Sequence, residues 1–126
     1  MRICGIHAIT PRNPAATPIN NILNAIKGRN SIVVSPSPSG LKVFQELLSY
    51  IDQELNKIKA PKNLIQTLPS PVSKDLTKEL MKQVDLVIVT GSQSNVREAY
   101  SSGTPAIGVG QGNVTVIVDE TCDLKD

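Results

Sequence analysis

Two short runs, SIVVS at Ser31–Ser35 and DLVIV at Asp85–Val89, are apolar nearly throughout. A strand of that kind has no polar face to turn to water, so layers must cover both of its sides. The segments between such runs carry a helical period instead. Ile19, Ile22, Leu23 and Ile26 fall on one helical face. Thr17-Pro18 predicts the start of that helix, with Thr as N-cap and Pro at the first helical position, and Gly28 predicts its stop. Leu41, Phe44, Leu47, Leu48, Ile51, Leu55 and Ile58 form a longer stripe. This predicts a helix that begins at Ser39-Gly40, carries Lys57 and Lys59 at its negative end, and is ended by Pro61.

The rest of the chain continues the alternation. Ile3–Ile9 reads as a strand, and so does Asn63–Leu68. Ser73 is placed to cap a helix with Asp75 in its first turn and Leu76, Leu80 and Met81 inward. A short helix over about Ser94–Ser102 stops at Gly103, and Thr104–Val109 and Asn113–Val118 read as the last strands. Strands separated by helices specify βαβ units. The expected fold is therefore α/β: a Rossmann-like, mostly parallel sheet with helices on both faces. The Pro-Ser loops at Ser35–Ser39 and Pro69–Ser73 each follow a strand and precede a helix. Both belong at the carboxyl edge of the sheet, where open α/β sheets bind ligands.

Composition removes several function classes. A formal net charge of +2 gives no electrostatic footprint for nucleic acid or anionic membrane. Aromatic residues are 2% of the chain, too few for base-stacking platforms. The apolar runs are too short to span a bilayer, and MRICGIHAIT is interrupted too early for a signal peptide. Nucleic-acid and membrane partners are thus not expected, and a cytoplasmic location is. Cys4 and Cys122 lack metal-like spacing and read as two reduced thiols. His7, inside an apolar stretch, reads as a packed strand residue, and no metal site is expected.

Four strand-end loops converge on the carboxyl edge: Thr10–Pro14, Ser35–Pro38, Thr90–Ser94 and Gly108–Gly112. All are small or polar. They suit a phosphorylated ligand held by backbone N–H groups and hydroxyls better than they suit a general base or nucleophile. Plainer readings stand beside this one. Ser92 or Ser94 is equally placed as a helix N-cap, the SPSPS loop as a stiff connector, and Asn13 as a cap or turn before Pro14. Gly108, Gly110 and Gly112 alternate, as glycines do where a backbone nears a ligand or needs a positive φ. The dinucleotide fingerprint needs a helix after the glycines. A β-branched, alternating segment follows here, so that fingerprint is rejected.

Read in order, AITPRNPAATPINNILNAIKGRNSIVVSPSP, APKNLIQTLPSP, ELMKQVDLVIVTG and above all AYSSGTPAIGVGQGNV resemble the CoA-acylating aldehyde dehydrogenases, over almost the whole chain. The resemblance implies the nucleotide-binding subdomain of such an enzyme. The family oxidises an aldehyde through a cysteine thioester, passing hydride to NAD or NADP and the acyl group to CoA. By position, Ile9, Thr10 and Pro11 would lie near the nicotinamide. Asn13 would match the asparagine that helps stabilise the oxyanion. Ser35, Pro36 and Ser37 would lie by the adenine ribose. Thr90, Gly91 and Ser92 would open the helix that meets the pyrophosphate. Gly108, Val109 and Gly110 would line the nicotinamide side, glycine standing where hydrolytic relatives keep a glutamate base.

The chain departs from the family pattern in three places. Only Arg12 separates Pro11 from Asn13, where the family usually shows two residues. The usual SPHP histidine is Ser37. The usual TGGPGMV is TGSQSNV. The resemblance also implies that the catalytic cysteine and catalytic domain lie outside residues 1–126, Cys122 falling at a variable position. Two functions are therefore expected: a coenzyme-binding fragment of an acylating dehydrogenase, inactive alone, or a stand-alone nucleotide-binding or interaction module that pairs with dehydrogenase subunits. Apolar surface that a complete enzyme would bury favours self-association.

Overall fold

The computed structural model describes residues 3–7, as backbone, and 13–110. Its elements alternate: β1 (Ile3–His7), α1 (Ala16–Lys27), β2 (Ser31–Ser35), α2 (Leu41–Lys57), β3 (Ile65–Thr67), α3 (Lys74–Gln83), β4 (Leu86–Thr90), α4 (Gln93–Tyr100) and β5 (Ala106–Val109). A single 3₁₀ turn, Pro38–Gly40, leads into α2. All strand pairs are parallel and the order is β3-β2-β1-β4-β5. This is the Rossmann-like sheet that the alternation predicts. The expected final strand, Asn113–Val118, lies outside the described residues.

Helices cover both faces. On one face Ile22 and Ala25 of α1 and Phe44 of α2 pack on Ile32, Val34 and Ile65. On the other, Met81 of α3 and Val96 and Ala99 of α4 pack on Val87 and Val89. β4 serves both layers by simple alternation, since Ile88 joins the first cluster. Phe44, Ile32 and Val34 are fully buried, so the one phenylalanine anchors an otherwise aliphatic core. Such burial is worth roughly 1.5–3 kcal/mol per large side chain.

Local details correct several expectations. Helix α1 begins at Ala16, and Thr17 makes no cap; Asn13 Oδ1 accepts from Ala16 N instead, at 3.2 Å. Helix α1 stops at Gly28, but the positive φ falls on Arg29 (58°). Asn30 N then donates to Ala25 O at 2.9 Å, closing a Schellman turn. Helix α2 ends the same way before Pro61 is reached: Lys59 takes φ 54° and Ala60 N donates to Leu55 O at 3.0 Å. Ile58, the C-cap of α2, is 74% exposed. Strands β3 and β5 are shorter than expected, and α4 ends at Tyr100, ahead of Gly103 with φ 83°. Ser73 caps α3 as expected, accepting from Leu76 N at 3.0 Å.

Candidate coenzyme site at the carboxyl edge

Parallel strands bring all their carboxyl ends to one edge. The register aligns His7 with Ser35 on one side and with Val89 on the other. The chain order reverses about β1, so that edge holds the topological switch point between β1 and β4. Ile9, Thr10 and Pro11 lie outside the described residues. Asn13 is exposed, and its side-chain oxygen is engaged at the start of α1. The next residue, Pro14, lies against Gly40, where an added methyl would sit 3.1 Å from Pro14 Cβ. The loops after β1 and β2 are therefore adjacent.

At the end of β2, Ser35 and Pro36 are buried and Ser37 is half-buried. Ser37 Oγ accepts from Gly40 N at 3.3 Å, so the SPSPS loop is fixed by its own cap. At the end of β4, Gly91 takes φ 138°, which a side chain would strain, and its N–H donates to Val109 O at 3.1 Å. Ser92 Oγ accepts from Asn95 N at 3.3 Å and lies 2.8 Å from Ser94 Oγ. The N-cap reading of Ser92 is thus realised, and the first turn of α4 points its N–H groups at the edge.

The glycine run has a packing purpose that its spacing did not reveal. A methyl at Gly108 would sit 2.6 Å from Val96 Cγ1 and 3.1 Å from the Tyr100 ring. Gly108 N also donates to the Tyr100 hydroxyl at 3.1 Å. Glycine here lets α4 lie close on β5. Gly110 follows beside Gln93, whose side-chain amide would be 3.3 Å from an added methyl. Val109 is 58% exposed.

A cleft of about 220 Å³ opens between the β2 loop and the adjoining helices. Ser35, Pro36, Ser37 and Pro38 form one wall; Ser73, Lys74 and Thr77 of α3 and its cap, with Val72, form the second; Asn95 and Glu98 of α4 close it. Ser35 is 2% exposed and its hydroxyl has no hydrogen-bond partner among the described residues. A buried hydroxyl without a partner is costly unless something enters the cleft to meet it. Thr77, also buried, is satisfied by donating to Ser73 O at 3.0 Å. The charges are asymmetric. Glu98 accepts from Lys78 at 2.9 Å, and this hydrogen bond, with the Glu98 charge, raises the Lys78 pKa above its usual 10.5. Lys74 has no ion-pair partner among the described residues.

Sequence reasoning placed Ser35, Pro36 and Ser37 at this edge and missed Lys74, Thr77, Asn95 and Glu98. The available signal was the Ser73 cap: a helix starting at the carboxyl edge must present its first turn there. No group of His, Cys, Asp and Glu suited to hold a metal ion exists among the described residues. No helix among them is long and apolar enough to cross a membrane.

No family model matches the chain. It is 54% identical over 122 residues to a sulfoacetaldehyde dehydrogenase (acylating) of Cupriavidus necator, covering 96% of this chain and 25% of that protein. Its fold superposes with TM-score 0.80 and 34% identity on the propionaldehyde dehydrogenase of Rhodopseudomonas palustris, solved with bound CoA and an acylated cysteine, covering 88% and 25% of the two chains. An engineered glycolyl-CoA reductase with bound NADP+ matches with TM-score 0.79 and 35% identity, covering 98% and 29%. The chain spans about a quarter of the length of the Cupriavidus necator relative.

Proposed function

We propose that this chain, a segment of the CoA-acylating aldehyde dehydrogenase type, carries the dinucleotide-binding part of such an enzyme. The observation that carries the reading is the carboxyl-edge cleft, where the Ser35 hydroxyl is buried, without a partner among the described residues, beside α3 and α4. An adenine ribose fits that chemistry: its hydroxyls would meet Ser35 and Ser37, and Pro36 and Val72 would supply apolar wall. The N–H groups that follow Thr90, Gly91 and Ser92 at the start of α4 would receive the pyrophosphate. Gly108, Val109 and Gly110, with Ile9, Thr10 and Pro11, would border the nicotinamide, and Asn13 would serve the oxyanion once it leaves Ala16 N.

NAD or NADP supplies the hydride acceptor for oxidation of an aldehyde, and CoA takes the acyl group to give acyl-CoA. These residues bind and orient the coenzyme, and the chain alone does not turn over aldehyde. Its setting is the cytoplasm. Calorimetry of the 126-residue chain with NAD, NADP and CoA, together with a coupled assay for NAD(P)H, tests this. Coenzyme binding without turnover is expected. Turnover abolished by Cys122→Ala would overturn the inactive-fragment claim, and failure of every nucleotide to bind would overturn the site.

A second reading, an interaction module that pairs with itself or with dehydrogenase subunits, is favoured by one observation. A groove of about 470 Å³ between α1 and α2 is lined by Ile19, Leu23, Ile26, Tyr50, Ile51 and Ile58, among others. Leu23, Tyr50 and Ile58 are 53%, 58% and 74% exposed. Concentration-dependent association in light scattering, reduced by Leu23→Glu, would support it. A monomer at high concentration would exclude the self-pairing form.

A further inference from the structure

We propose that the cleft takes a phosphorylated adenosine ribose, with Lys74 meeting a phosphate at the 2′ position, so that this chain favours NADP over NAD. The inference rests on the nucleotide-binding reading above and adds the selectivity that the sequence leaves open.

Three features point the same way. The Ser35 hydroxyl, without a hydrogen-bond partner among the described residues, almost completely buried and lining the cleft, is placed to meet a ribose substituent. Lys74, the first residue of α3, lines the same cleft and carries an uncommitted positive charge among the described residues. The α3 N-terminus adds partial positive charge, and Ser73 Oγ already accepts from Leu76 N, which fixes that turn. The usual NAD-selective arrangement is the opposite one, a carboxylate that accepts from the 2′-hydroxyl. The carboxylate lining this cleft belongs to Glu98, and Lys78 holds it at 2.9 Å. An ammonium with no ion-pair partner among the described residues, in a cleft whose carboxylate is already paired, favours a phosphate over a hydroxyl.

A ribose phosphate also occurs at the 3′ position of CoA, so the test separates the two sources. The 126-residue chain is titrated by calorimetry with 5′-AMP, adenosine 2′,5′-bisphosphate and adenosine 3′,5′-bisphosphate, at low salt. The expected result is adenosine 2′,5′-bisphosphate binding about fivefold to tenfold tighter than 5′-AMP, the scale of one charge-assisted contact at a solvated site. Lys74→Ala should abolish that advantage, so that the variant binds adenosine 2′,5′-bisphosphate no tighter than 5′-AMP; Lys74 is exposed, and a thermal melt checks that the fold persists. Equal binding of 5′-AMP and the 2′,5′-bisphosphate would overturn the selectivity and leave the nucleotide site standing. A Lys74-dependent preference for the 3′,5′-bisphosphate would overturn the 2′ assignment. No binding of any of the three would overturn both the inference and the reading beneath it.

Discussion

Lys78 Nζ lies 2.9 Å from Glu98 Oε1, joining α3 to α4 at the edge of the carboxyl-edge cleft. Both side chains are partly exposed, at 49% and 37%. Such a pair contributes little to stability, but it decides what charge the cleft presents. Lys78→Ala should release the Glu98 carboxylate toward the ligand and cut the preference for a 2′-phosphate by roughly threefold, an effect that salt screens. Glu98→Gln should do the opposite. Affinity for NADP relative to NAD in both variants, at low and high salt, measures this.

The same pair sets a pH dependence with a definite sign. Glu98 raises the Lys78 pKa above 10.5, by its hydrogen bond first and its charge second. A raised pKa in the folded state stabilises the fold below the unfolded value, and that gain is lost as pH rises through the folded value. The urea midpoint difference between the parent chain and Lys78→Met should therefore be present at pH 8 and shrink by about pH 11. An equal difference at both values would show that the pair does not titrate as stated.

Gly108 is predicted to be a packing residue before it is a ligand residue. Gly108→Ala places a methyl 2.6 Å from Val96 Cγ1, and overpacking of this kind costs about 1–3 kcal/mol. Adding Val96→Ala should recover part of that loss. Urea unfolding of the two single variants and the double variant gives the coupling. Simple additivity would remove the contact from the account.

Ser92 is committed to its own helix. Ser92→Ala removes the oxygen that accepts from Asn95 N, and should cost about 1 kcal/mol of stability. Coenzyme affinity should change by no more than about twofold, because the proposed pyrophosphate contact is made by backbone N–H groups of the first turn while the hydroxyl is taken up by the cap. Ser92→Asp should restore the cap in thermal unfolding. A large loss of affinity with unchanged stability would give the hydroxyl a direct ligand role.

The strands were legible because burial on two faces leaves a mark on local sequence. SIVVS and DLVIV could be placed within a residue of β2 and β4. Helix ends were less so. Asn13 substitutes for Thr17 at the start of α1 because a side chain three residues before the first free N–H reaches it as well as a neighbour does. Helix α2 stops short of Pro61 because a Schellman turn at Lys59 closes it first. The cleft was half legible. Ser35, Pro36 and Ser37 announce themselves as a strand-end loop, whereas Lys74 and Glu98 reach the cleft only through the sheet order, which lays α3 over β1 and α4 over β4 and β5, facing the loop that follows β2. Gly108 has the same origin: its spacing resembles a ligand loop, while its neighbours Val96 and Tyr100 come from packing.

The proposed function depends on the binding of an adenine dinucleotide at the carboxyl edge. An amide-resolved NMR titration of the isotope-labelled chain with NADP tests it most directly. The predicted result is saturable shifts at the amides of Ser35, Ser37, Ser73, Lys74 and Asn95, with the α1–α2 groove around Leu23, Tyr50 and Ile58 unmoved. No shift at saturating NADP, or shifts confined to that groove, would contradict it.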